Sequence, residues 1–416
     1  MKEATLSCLD VNHSSNEKGV GESMDKKRIY IACLLILALI GIIPLSGCSA
    51  EASGEDAALL KEVTLGVWRN DEIIPAVNSF NSQHDQFQIR IVNYDSLDLM
   101  HTELMAGKYC DFYLLDMDYS AMAGKKLFVD LMPMVEDTLK STKNEVVPEL
   151  RDAMTVDGAL MQIPYEFRIG TCEGLRQYFD GHGISLEDAK QALGDCMGPI
   201  FPEEWKEKNI TTKVSAVSSI FFVDQLNERD YFQKSKFEEY LKFWIDGWME
   251  QQSKNMDSNL ALFRPTFITE PGEPPVDGYI YTGYPTMTGM SAGSYFSFGS
   301  AFSIISGSKN VEEAWEFICF CLSPEHQRTV HDGMPVNSRV LQERIDERIE
   351  AKEITEDDAK NFYELLEETE WLTASPKITD IFSDEISACF GGKRQVGEAA
   401  KMIENRLNLY LEESRE

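Results

Sequence analysis

A scattered set of aromatic and polar side chains stands out for the chemistry it would do if gathered in one place. Trp68, Tyr119, Tyr165, Tyr284 and Tyr295 offer rings, while Asn70, Asp116, Glu166 and Arg168 offer amide, carboxylate and guanidinium groups. Rings of this kind cover the apolar faces of a flat ligand, and polar side chains take its hydroxyl or amide rim. Trp68, Tyr94 and Asp116 fall at the carboxyl ends of three strand-like runs, with Asn70 and Tyr119 close behind. Open parallel sheets bind ligands beyond those ends. Tyr165, Glu166 and Arg168 follow the first presumed crossover between halves of the chain, and Tyr284 and Tyr295 lie in a Gly/Pro-rich passage. Trp205, Trp248 and Trp371 read as core rings instead.

Covalent chemistry has one motif in its favour, Gly289-Met290-Ser291-Ala292-Gly293, which matches the G-x-S-x-G nucleophile elbow, with His326 and His331 downstream. An elbow needs an apolar strand before its serine and a helix straight after it. Here Thr286 to Met290 is loop-like and Ser294 to Ser303 is rich in Gly, Ser and Phe, so an esterase is not expected. No carboxylate pair is singled out for glycoside hydrolysis. The sequence holds no CxxC pair and no HExxH, and His326 and His331 are five apart, off a common helix face. Neither a metal site nor a cofactor is expected, and the chain reads as a non-enzyme.

Lys and Arg number 39 against 70 Asp and Glu, a net charge of −31 over 416 residues, of which 43% are hydrophobic and 10% aromatic. So many apolar and aromatic residues exclude a disordered acidic chain, and the length suits two or three domains. The charge repels phosphate backbones and anionic headgroups, and no basic patch offsets it, so nucleic acid is not expected as a partner.

Lys26, Lys27 and Arg28 precede an apolar run from Ile29 to Ile43 and then Leu45-Ser46-Gly47-Cys48. The run is short for a membrane span, and small residues precede the cysteine, as in an export signal with a cleavage site. Leu45-Ser46-Gly47-Cys48 resembles the bacterial lipobox, in which the cysteine thiol is diacylated and becomes the new N-terminus. Met1 to Ser23 is polar and without periodicity, so translation is expected to begin at Met24. Residues 1–47 then form a leader, with 24–47 as its signal peptide, and the product is lipid-anchored at Cys48, facing the extracytoplasmic side of the cell membrane. Of nine cysteines, Cys110, Cys172, Cys196, Cys319, Cys321 and Cys389 remain in the body of the chain. Their spacing brackets no loop, so they read as buried thiols rather than disulfides.

The elements that must position the rings follow from periodicity. Val63 to Trp68 alternates like a strand, and Ile73, Val77 and Phe80 recur at helical spacing. Gln88 to Tyr94 reads as a second strand, Leu97 to Ala106 as a helix and Phe112 to Asp116 as a buried third strand. Such alternation predicts a parallel sheet with right-handed crossovers. Leu186 to Gln252 is mostly helical, with a core stripe at Phe237, Tyr240, Leu241 and Trp244. Ala301 to Ile305 reads as a strand, and Asn310 with Glu313 as the capping box of a helix that Ser323-Pro324 ends.

In this order the motifs resemble the extracellular solute-binding proteins of family 1, the lipid-anchored receptors of bacterial ABC sugar importers. The likeness rests on the lipobox, on Val63-Thr-Leu-Gly-Val-Trp68 with Asn70-Asp71, on Glu103-Leu-Met-Ala-Gly107 before Cys110-Asp111-Phe112, and on Val156 to Pro164. It continues through Ser308 to Phe317 and Gly333-Met-Pro-Val-Asn337, and closes with Phe390-Gly-Gly-Lys to Tyr410. Cys110 stands where the family usually has Pro or a small polar residue, and Thr171 to Cys196 departs from the usual pattern. The resemblance implies an α/β fold of two lobes, each a mainly parallel sheet flanked by helices, joined by a multi-strand hinge around a trapped solute. On that plan residues 48–61 form a lipidated linker, 62–165 with 280–335 one lobe, and 166–279 with 336–416 the other. The implied protein is a monomer that hands a solute, by default a neutral oligosaccharide, to an ABC permease and its ATPase. An anionic ligand would need a buried cation such as Arg168. A hydrolytic cell-surface lipoprotein and an adhesin or scaffold are the alternatives.

Overall fold

The computed structural model describes residues 60–68, 72–115, 127–139, 145–202, 205, 207–223, 232–253, 260–287, 292–370 and 376–415. Strand β1 (Lys61–Val67) buries Val63, Leu65 and Val67 completely. Helix α1 (Ile73–Gln83) buries Ile73, Ala76, Val77 and Phe80, the stripe its spacing predicts. Strand β2 (Phe87–Asn93) precedes α2 (Leu97–Met105), whose first turn is capped by Ser96, with its hydroxyl accepting from the Leu99 N–H at 3.1 Å. Strand β3 (Phe112–Leu115) is buried on both faces. Both β2 and β3 pair parallel to β1, as the alternation of strand and helix predicts.

Next come β4 (Ile163–Pro164), the ten-residue β5 (Glu166–Leu175), and helices α3 (Leu186–Asp195), α4 (Glu207–Phe222) and α5 (Lys234–Ser253). Strands β6 (Phe263–Ile268), β7 (Tyr279–Tyr281), β8 (Tyr295–Ser297) and β9 (Ala301–Ile304) follow, then α6 (Val311–Cys321), β10 (Met334–Pro335), α7 (Ser338–Glu350), α8 (Glu356–Glu368), α9 (Pro376–Phe390) and α10 (Val396–Arg415). The first sheet runs β2-β1-β3-β9-β4, and β9 is antiparallel to both its neighbours, so the parallel character ends at β3. The second sheet is organised by β5, which pairs antiparallel with β6, β7, β8 and β10.

Two large hydrophobic cores result, beside a smaller cluster around Tyr94, Tyr113 and Phe128. The first gathers Val63, Phe112, Phe302, Phe317, Leu341 and Phe362 around the first sheet. The second gathers Phe222, Phe237, Tyr240, Leu241, Trp244 and Phe382 from the middle and C-terminal helices, including the whole predicted stripe. Strand β5 enters both, with Phe167 and Ile169 in the first and Cys172 in the second. Helices α7 and α8 pack in the first core through Leu341, Phe362 and Leu366, whereas α9 and α10 pack in the second through Phe382 and Ile403. The chain beyond residue 336 therefore divides between the cores instead of joining one of them as a block.

Helix α6 departs from the expected capping box. The Asn310 side chain makes no cap and donates instead to Asp111 Oδ1 at 2.9 Å, while Glu313 pairs with Lys61. Asp111 also accepts from Thr64 N at 2.8 Å, Thr64 Oγ1 at 2.7 Å and Ser308 Oγ at 2.8 Å. Burial works against its charge, but these bonds outweigh burial and hold the carboxyl below its usual range. Bonding to Asp111 through Nδ2 orients the Asn310 side chain toward that carboxylate, and its oxygen makes no cap to the helix. All six cysteines of the described body are free thiols, with Cys196 and Cys319 half-buried and the other four buried. Among the described residues no helix is long and apolar enough to cross a membrane.

Candidate ligand-binding site

Successive side chains of a strand point to opposite faces, so Glu166, Arg168 and Gly170 share one face of β5. At its start the Glu166 carboxylate is 4% exposed and accepts the Gly299 N–H on Oε1 at 2.5 Å. Among the described residues Oε2 has no hydrogen-bond partner, and the Arg168 Nε stands 4.0 Å from it. Arg168 Nη2 is held instead by Asp332, at 2.8 Å from Oδ1 and 3.2 Å from the backbone oxygen. Burial pushes the Glu166 carboxyl up to about 7, against the pull of the Gly299 N–H and Arg168, and the charges of Asp332 and Glu72 add to the rise. Gly299 and Gly333 make this fit possible, because a Cβ at either would run into the carboxylate oxygens.

Beside it, the Tyr165 hydroxyl lies 2.6 Å from His326 Nε2, and the ring meets Phe302 edge-on. Burial raises the phenol above its ordinary range and lowers the imidazole, so tyrosine donates to a neutral histidine. The Tyr165 hydroxyl is thus already engaged, and the residue is 6% exposed.

One row further along β5, Gly170 stands in register with Tyr295 of β8 on one side and Phe267 of β6 on the other. The neighbouring row, Phe296, Ile169 and Ile268, is buried in the first core. The pleat therefore turns Tyr295, Gly170 and Phe267 to the opposite face. There the Tyr295 ring fills the space a Cβ at 170 would take. It meets Phe267 edge-on at 6.2 Å and stacks with Tyr284 at 6.4 Å and 29°. Tyr284 is buried, with no partner for its hydroxyl among the described residues, whereas Tyr295 and Phe267 are only half-buried. Burial by the surrounding protein pushes the Tyr295 phenol well up. From α4, Lys213 puts its Nζ 4.2 Å from the Phe267 ring centre. Half-open rings beside fixed polar groups suit a flat ligand with apolar faces and a polar rim.

Of the expected site residues, Tyr165, Glu166 and Arg168 form one group and Tyr284 and Tyr295 another, both anchored on β5. Trp68 follows β1 directly and is half-buried. Asn70, Asp116, Tyr119, the anchor Cys48, Ser291 and Trp371 lie outside the described residues. Trp248 is buried in the second core and Trp205 stacks on Phe201 at 5.9 Å, as core rings do. Sequence reasoning missed Gly170, Phe267 and Lys213. A glycine inside a strand run is a signal of close backbone approach, and Gly170 carries it. Phe267 offered no signal beyond its strand.

Sheets flanked by helices around two cores give this chain the α/β fold of extracellular solute-binding proteins. Among solved structures it is similar to an extracellular solute-binding protein of family 1 from Alicyclobacillus acidocaldarius, at 16% identity and a TM-score of 0.52 over 86% of this chain and all of that one. A periplasmic oligogalacturonide-binding protein from Yersinia enterocolitica matches at 16% identity and TM-score 0.55, over 85% of this chain and 100% of that one. A sugar-binding protein from Xanthomonas citri matches at 14% identity and TM-score 0.59, over 85% and 98%. Likeness at these identities is likeness of fold. No family model matches the chain, and no curated protein matches it.

Proposed function

We propose that the protein captures an oligosaccharide on the face of β5 that carries Glu166, Arg168 and Gly170 and delivers it to an ABC permease, tethered outside the membrane by lipid on Cys48. The observation that carries this reading is the row Tyr295–Gly170–Phe267, two half-open rings with a glycine between them, adjoining Glu166 and Arg168 on one strand face. Rings take the sugar's apolar faces and the polar groups its hydroxyls. Two of the neighbours named above, the oligogalacturonide-binding and the sugar-binding protein, support the same class of ligand. Strand β5 belongs to both cores, so a ligand touching both would bind a closed arrangement better and shift the population toward it. The protein acts here as a monomeric receptor and leaves its ligand chemically unchanged.

Calorimetric titration with a panel of oligosaccharides tests this. The intact protein should bind at least one of them without turnover, and Tyr295→Ala should weaken that binding by roughly tenfold to a hundredfold, the scale of one lost aromatic contact. Unchanged affinity in a folded Tyr295→Ala protein, or release of hydrolysed sugar, would refute it.

A further inference from the structure

An unneutralised cation inside a chain of net charge −31 calls for a reason. Lys213 is the only charged residue between Asn209 and Val223, on a helix whose neighbouring positions Ile210, Val214 and Val217 are buried. Its side chain is half-buried and its ammonium sits over Phe267. Lys61, Lys190 and Lys242 rest against Glu313, Glu239 and Asp246, but among the described residues no carboxylate pairs with Lys213. Burial alone lowers its pKa, with no neighbouring charge acting on it. A ring face satisfies an ammonium from one side only, and lysine has three N–H donors to place. Arg168, the cation on β5, is already engaged by Asp332 and lies near Glu166.

Resting on the sugar-binding reading above, we propose that the ligand is an acidic oligosaccharide, with a uronic acid ring against Tyr295 and Phe267 and its carboxylate on Lys213 Nζ. The partial burial that makes Lys213 costly alone strengthens its attraction to a carboxylate in the same recess. A neutral sugar closing over this site would strip water from the ammonium and return no charge, so the site discriminates against it. The negative charge of the whole chain opposes approach of an anion. Preference for the acid therefore resides in the local contact, and added salt should speed association rather than slow it.

The test is calorimetric titration of the intact protein with oligosaccharides bearing uronic acids, with their methyl esters, which keep the shape and remove the charge, and with neutral oligosaccharides. Wild type should bind an acid roughly tenfold or more tighter than its ester. Lys213→Met keeps an apolar stem over Phe267 and should erase that preference, weakening the acid and binding the ester at least as tightly as wild type does; Lys213→Arg should retain it. Circular dichroism confirms that each variant is folded. Equal or better binding of the ester by wild type, or an acid preference that survives in Lys213→Met, overturns the inference while leaving the sugar reading intact. If no oligosaccharide of either charge binds, both fall together.

Discussion

The ring of Tyr295 occupies the space that any side chain at position 170 would need. Gly170 is therefore required for its lack of a Cβ, and the recess depends on that absence. Gly170→Ala should push Tyr295 aside and weaken oligosaccharide binding about tenfold. In a Tyr295→Ala background the same substitution should cost little, because the collision is gone. A double-mutant cycle measures this coupling, and additive losses would show that the ring and the glycine act separately.

Glu166 should make stability depend on pH in a defined direction. Its folded pKa is raised from 4.5 to about 7, so burial favours the neutral acid. The stabilisation is complete below the unfolded value and is lost as pH rises through about 7, amounting to about 3 kcal/mol when fully lost. Denaturant melts from pH 4.5 to 8 should show wild type weakening across that window, with Glu166→Gln distinctly flatter. A wild type equally stable at both ends would remove the basis for a buried, neutral Glu166.

Trp68 ends the alternation of β1 at its carboxyl end, where parallel strands meet ligands. As a stacking platform, its replacement by alanine should cost roughly 1 to 3 kcal/mol of affinity and leave the fold intact. Ligand affinity and melting temperature, measured together, decide between roles. A large loss of stability with no loss of affinity would make Trp68 a packing residue.

Cys48→Ala should release the protein from the membrane fraction or leave its leader uncut. Detergent partitioning and intact mass provide the readout, and normal partitioning at the mature mass would contradict the lipid anchor.

Local pattern carried the first half of the fold well. Apolar spacing alone marks β1, α1, β2, α2 and β3, because each buries a face set by its own period. The interior stripe of α5 was equally legible, since Phe237, Tyr240, Leu241 and Trp244 recur at helical spacing. What failed depended on distant partners. Nothing near Asn310 shows that Asp111, some two hundred residues earlier in the chain, will claim its amide. Likewise the insertion of β9 between β3 and β4 is a long-range pairing that no local period encodes. The same holds for the proposed binding row, because Gly170 meets Phe267 and Tyr295 only once the register of three strands is set. Tyr165, Glu166 and Arg168 were legible as a cluster because they are neighbours in sequence. Lys213 was visible as a solitary charge, but its place over Phe267 was not.

The most direct test of the account is a crystal structure of the protein with a bound oligosaccharide from the titration panel. A sugar ring is expected in van der Waals contact with Tyr295 and Phe267, with a polar group within hydrogen-bond reach of Glu166, Arg168 or Lys213. A ligand bound away from this face of β5, with the Tyr295–Gly170–Phe267 row untouched, would contradict it.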